Sequence, residues 1–415
     1  MKYLVTIGLL VGLFPIAIPS QQVDTAFSSN SYTQAVGKYK IVDTNQKSYF
    51  NDRKVISKPN ESNPLIGQDA HYEGNVPSYT IISKEIVKDD HTELMWQRDY
   101  EVISYSEALK KLRSFKSGGY DDWRLPTIKE AYSLIQFDGI DVSGPRWMEQ
   151  GESQPFIDGS VFEFQYAANG QRMIDHQMLS ATIYKGKTMG RAETVFGVNF
   201  ADGRIKGYPI QDPRRGEKQF VVRFVRGNKD YGKNNLVDNQ DHTVSDLATD
   251  LMWSQNDSGK GMNWLKALEW VQQKNKEAYL GYTDWRLPNA KELQSIVDYN
   301  IAPQTHGEAA ISPLFNTTKI TVEEGRKNYP FFWSSTTHQT VRGGDNAVYV
   351  CFGDAYGYFS PPHARNDSKT LLDVHGAGAQ RSDPKVSHPA KQTKSRGGQG
   401  DVIRIDNFVR LVRNI

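Results

Sequence analysis

The stretch YDDWRLPTIKE, from Tyr120 to Glu130, returns as YTDWRLPNAKE from Tyr282 to Glu292, 162 residues later. A chain that carries such a motif twice must build two related local structures, so the repeat constrains the architecture before any other feature does. The likeness extends outward. TELMWQRD from Thr92 matches TDLMWSQND from Thr249, setting Trp96 against Trp253 at an offset of 157. Tyr105, Ala108, Leu109 and Leu112 match Trp264, Ala267, Leu268 and Val271 at an offset of 159, and spacings of three and four mark one apolar helix face. Both copies close on a β-like run, FVVRFVRG from Phe220 and NFVRLVRN from Asn407. Arg226 there matches Arg413 at an offset of 187, so the second copy carries about 25 additional residues after its WRLP.

Local physics gives the motif a shape. Pro126 forces Leu125 to be extended. Thr127 with Glu130, and Asn289 with Glu292, then predict capping boxes, in which side chain and backbone satisfy each other's open donors. Ser104 with Glu107 predicts another, and Asn263 a simple cap. The helices that follow bury Ile128, Ala131, Leu134 and Ile135 in one copy and Ala290, Leu293, Ile296 and Val297 in the other. Trp96, Trp123, Trp253 and Trp285 read as core. Arg124 and Arg286 read as structural, paired with a nearby carboxylate or carbonyl, and direct contact of the WRLP residues with a ligand is the alternative.

LMWQ, DWRLPT with its Lys-Glu, and the closing VRFVR together resemble the Lcl C-terminal domain family of exported bacterial domains. IVDTNQKSYFN from Ile41, GQDAHYEGNVPSYT from Gly67 and DVHGAGAQRSDPK from Asp373 are similar to members of the same family. A more distant similarity, to formylglycine-generating-type domains, implies an α+β fold: two tandem C-type-lectin-like domains with long loops. The domains expected are 80–227 and 234–415, with a linker at 228–233 and a flexible, extended lead-in at 21–79.

Fifty Lys and Arg against 48 Asp and Glu leave a net charge of +2, which gives no global attraction to nucleic acid. Lys2 followed by YLVTIGLLVGLFPIAI reads as a secretory signal peptide over 1–20. It predicts a secreted, periplasmic or cell-surface protein with no stable membrane insertion after cleavage. Cys351 is the only cysteine, so the paired cysteines of formylglycine-generating chemistry are missing, and Cys351 itself reads as a buried small hydrophobe. No two of the nine histidines stand three or four apart, which leaves no helical metal pair. These absences argue against an enzyme.

Two aspartate-rich stretches, VKDDHTE from Val87 and VDNQDHTVSD from Val237, supply Asp89, Asp90, Asp238, Asp241 and Asp246. Such oxygen donors suit calcium, and the same composition suits hairpin turns. Trp147, Tyr356 and Tyr358 fall in turn-rich inserts, where rings either stack on sugars or pack the loop bases. Residues 375–400 hold Arg381, Lys385, Lys391, Lys394 and Arg396 against Asp383 alone, with five glycines, and so predict a solvated, mobile, basic loop. The expected function is an exported non-catalytic module that binds polysaccharide or another anionic cell-surface ligand, a sulfated glycan being what the resemblance adds. A structural envelope component and an uncharacterised enzyme of the same fold are the alternatives.

Overall fold

Each copy of the repeat builds a small antiparallel sheet of the same order. In the first, Val225–Gly227 pairs with Leu94–Gln97, which pairs with Ile86–Asp89 and then Tyr79–Ile81. In the second, Val412–Asn414 pairs with Leu251–Ser254, then Thr243–Asp246 and Leu236–Asp238. The closing strand of each copy therefore comes home beside its opening hairpin. The structure, a computed structural model, describes Met1 and residues 37–143, 153–167, 172–212, 215–360, 369–387 and 395–415. Residues 2–36, where a signal peptide and the start of the lead-in are expected, and Trp147, Lys391 and Lys394 lie outside the described residues.

The caps fall where the sequence predicts them. Ser104 and Glu107 box the helix Tyr105–Leu112, Thr127 and Glu130 box Ile128–Ser133, Asn289 and Glu292 box Ala290–Ser295, and Asn263 caps Trp264–Lys276. Two of the boxing glutamates have a second role. Arg124 grips Glu130 in a fork at 2.6 and 2.5 Å, and Arg286 grips Glu292 at 2.5 and 2.7 Å. One carboxylate thus closes the cap and anchors the arginine ahead of the proline, so turn and helix fix each other.

The remaining motif residues clamp the closing strand. Asp122 accepts two bonds from Arg226, and Asp284 two from Arg413. These guanidinium groups also lie over the rings of Tyr120 and Tyr282, 3.6 and 4.1 Å from their centroids. Trp123 and Trp285 are buried and donate to the carbonyls of Ser117 and Tyr279 at 3.2 and 2.7 Å. Trp96 and Trp253 are fully buried beneath the small sheets.

The copies then share one large sheet. Its order is Phe331–Thr340, Gly343–Cys351, Gln380–Pro384, Arg204–Pro209, Thr194–Asn199, Gln177–Ile183, Gln219–Val222, Glu101–Ser104. Three strands of the second copy meet three of the first in reversed order, joined where Gln380 pairs with Ile205, so a local two-fold passes through that seam. Val36–Ile415 forms one compact unit.

This seam overturns the expectation of a solvated basic loop over 375–400 for its first part, 375–385. Gln380–Pro384 is an interior strand; Arg381 is 3% exposed and Lys385 fully buried. The glycines and alanines of HGAGAQ serve close packing rather than mobility, since a Cβ on Gly378 would stand 2.4 Å from the Tyr299 ring. The charge of Arg381 is met by Asp401 at 3.0 Å, a residue beyond the stretch whose charges were summed. The lead-in is likewise built in from Tyr39 onward: Tyr39 N–H donates to Ala248 O at 2.8 Å, and Gln46 exchanges bonds with the Thr337 backbone at 2.7 and 2.8 Å.

At the seam the two boxed helices pack together and their lysines cross. Lys129 Nζ donates to Ser295 O at 2.6 Å, and Lys291 Nζ to Ser133 O at 2.8 Å. Donors and acceptors are each 162 residues apart, so the two contacts are equivalent under the repeat.

Glu292→Ala removes both a cap and the partner of an enclosed arginine, so it is expected to cost about 3–5 kcal/mol. Glu130→Ala should cost less, because the Arg124 side chain is 24% exposed against 10% for Arg286. Urea denaturation of both variants checks this; equal, negligible losses would contradict it.

Candidate functional site

The largest of the prominent clefts, about 890 Å³, lies on the first copy beside Gln219–Val222. Tyr100, Tyr166, Gln165, Gln177, Gln219 and Lys218 line it, with Arg172 and Arg215 exposed at it. His176 packs edge-on to Tyr100, centroids 5.2 Å apart, and against Phe164 at 4.4 Å. Burial, helped by the Arg223 charge, lowers its pKa to about 4, so His176 is a neutral ring at physiological pH. Arg172 pairs with Asp175 at 2.7 Å. The Lys218 ammonium stands 4.3 Å over the Tyr208 ring and 5.6 Å over Phe220, and burial pushes it down to about 8. Among the described residues no carboxylate pairs with it.

A second cleft, about 660 Å³, opens where the lead-in crosses the second copy. Asp69 sits at its inner side, one oxygen accepting from Thr44 at 2.8 Å and Thr336 at 2.5 Å. Thr336 in turn accepts the Ala290 N–H at 2.9 Å, which ties the carboxylate to the start of the boxed helix. Asp43, Glu292 and Arg286 share the lining, and burial pushes Asp69 up to about 7.

The aspartates offered for calcium are engaged as turn residues. Asp89 accepts from the His91 and Thr92 N–H groups, Asp90 from the Ser78 and Thr80 hydroxyls, Asp238 from Gln240 N–H, and Asp241 from Thr243. Asp246, at the place equivalent to Asp89, accepts from Asn234, Asn235, Ala248 and Thr249. Among the described residues no three His, Cys, Asp or Glu stand where they could hold a metal ion.

The ligand candidates are scattered rather than gathered. Tyr356 is buried with its hydroxyl on Asp354 at 2.9 Å, and Tyr358 packs into the same small apolar cluster, so both take the loop-packing reading. Lys385 donates to Asn51 O at 2.9 Å with its ammonium 4.3 Å over Trp264. Arg381 faces Asp401 at 3.0 Å, and Arg396 lies in the short strand Ser395–Arg396. Cys351 is buried and its thiol pushed up to about 12 by burial. No sequence signal marks Lys218 or Asp69, because their character comes from Tyr208 and Thr336 on other strands.

With a tandem, sheet-rich α+β architecture in hand, comparison with protein families gives the class. The Lcl C-terminal domain matches residues 85–226 and again 242–371, so the chain belongs to that family and carries its domain twice. No curated protein and no solved structure matches it. Among the described residues no helix is long and apolar enough to cross a membrane.

Buried groups of opposite kind set how stability varies with pH: His176, lowered to about 4, adds stability as pH rises from about 4 to 6.5, while two aspartates act the other way. Asp69 and Asp373, both raised to about 7 by burial, hold protons in the folded state that the unfolded chain releases above about 4, so their contribution falls as pH rises from about 4 to 7. Lys129, Lys218 and Lys291, lowered from 10.5 to about 8 by burial, give up protons that the unfolded chain keeps, so stability rises again above pH 8. Urea midpoints of the wild type and Asp69→Asn from pH 4 to 10 check this: the stability of the wild type relative to the variant should fall from pH 4 to 7, and a difference that stays constant across that range would contradict it.

Proposed function

We propose that the protein is an exported, non-catalytic module that binds polysaccharide or another anionic cell-surface ligand, with the 890 Å³ cleft as its site. The observation that carries this reading is Lys218, a cation held on aromatic faces with no ion pair among the described residues, in a cleft lined by three glutamines and two tyrosines, with Arg172 and Arg215 beside Asp175, Asp212 and Glu217. Amides supply donors and acceptors to sugar hydroxyls, tyrosine rings supply stacking surface, and the cation suits an acidic substituent. The leader over 1–20 supports export, and the tandem α+β frame agrees with a C-type-lectin-like fold. The burial of Cys351 argues against that thiol as a nucleophile, because a thiol needs its thiolate to attack.

A glycan array probed with the wild type, Tyr100→Ala and Lys218→Gln tests the reading. Wild type should retain a subset of acidic glycans, and each variant should bind about tenfold or more weakly, roughly 1.4 kcal/mol, with the unfolding midpoint little changed. Equal retention by all three proteins would remove the cleft from the account.

A further inference from the structure

The duplicated lysine of the boxed helices meets different surroundings in the two copies. For Lys291, burial is opposed by the carboxylates of Asp43, Asp89, Asp69 and Asp138. For Lys129 it is opposed by Asp246, already held by four donors, and by Asp298. The Lys129 ammonium gives its three protons to neutral oxygens only: Gly232 O and Asn234 Oδ1 at 3.0 Å and Ser295 O at 2.6 Å.

In front of Lys129 a cleft of about 530 Å³ opens, and its lining adds Lys185, Lys229 and Lys233. Asp298 is the one carboxylate among its lining residues, and one of its oxygens is occupied by the Asn300 N–H and amide at 2.9 and 3.1 Å. Lys233 pairs with Asp230 at 2.9 Å, while Lys185 and Lys229 are exposed and have no ion-pair partner among the described residues. An enclosed ammonium compensated mainly by dipoles is costly, and three more cations raise the local potential further. A compact dianion would offset both costs, with exposed lysines free to approach its oxygens and Lys129 as a fixed charge behind them.

We propose that this lysine cleft binds a small ligand through a phosphate or sulfate oxyanion. The cleft shares no lining residue with the one lined by Tyr100 and Lys218, so the proposal stands apart from the glycan reading and each can fail alone.

The test is calorimetric titration of the full chain with orthophosphate and, separately, sulfate, against sodium chloride of matched ionic strength. Wild type should bind at least one of the two saturably, tighter than about 1 mM. Lys185→Gln/Lys229→Gln, which alters only exposed side chains, should bind at least tenfold more weakly, and Lys218→Gln should bind as the wild type does. Preference for phosphate over sulfate would assign a phosphoester, and the reverse a sulfate ester. Absence of saturable binding of either anion, or equal binding by the double lysine variant, would overturn the proposal.

Discussion

Two lysines reaching across the seam, each to the last turn of the other copy's helix, make the two repeats interdependent. Lys129 ends on Ser295 and Lys291 on Ser133, so neither boxed helix has its interior hydrogen bonds complete without the other copy. The seam strands add a second bond of the same kind. Asp141 of the first copy receives Arg204 at 2.8 Å and His338 of the second at 3.1 Å, while Asp202 receives Lys206 at 2.9 Å. Despite its burial, Arg204 and His338 hold the Asp141 carboxyl well below the usual range. Of these contacts the one between His338 and Asp141 crosses from copy to copy, so separating the copies would cost Asp141 that hydrogen bond, while the Arg204 and Lys206 pairs belong to the first copy alone.

The repeats keep their frame and change their walls. Arg223 and Arg410, 187 residues apart, are both fully buried and each clamps backbone carbonyls: Arg223 those of Gln97, Arg98 and Glu163, Arg410 those of Ser254, Gln255 and Asn316. Around this common frame, the space by the boxed helix is edged with Lys185, Lys229 and Lys233 in the first copy and with Asp43, Asp69 and Glu292 in the second. Lining side chains of this kind can change recognition without disturbing the shared hydrogen bonds.

What the sequence discloses is what local physics decides. The capping boxes and the buried tryptophans each depend on residues a few positions apart, and all are found in place. The seam depends instead on which strand pairs with which, and a window of sequence holds no record of that. Residues 375–400 therefore look basic and loose, although Arg381 is matched by Asp401 and Gly376 and Gly378 are packed against Tyr184 and Tyr299. Lys129 and Lys291 are visible as a repeated letter, but a lysine in a first helical turn ordinarily faces water, and only the packing of one helix on its twin turns it inward. The cleft residues are hidden for the same reason: the Lys218 ammonium comes to lie over the Tyr208 ring only once the chain has folded.

The central claim is that both copies form one cooperative fold. Hydrogen exchange along a urea titration measures it directly, following amides of Thr194–Asn199 in the first copy and Gly343–Cys351 in the second. The account predicts that both strands lose protection at one midpoint with one free energy of opening. Loss of protection in one strand while the other stays fully protected would show two independent domains and contradict it.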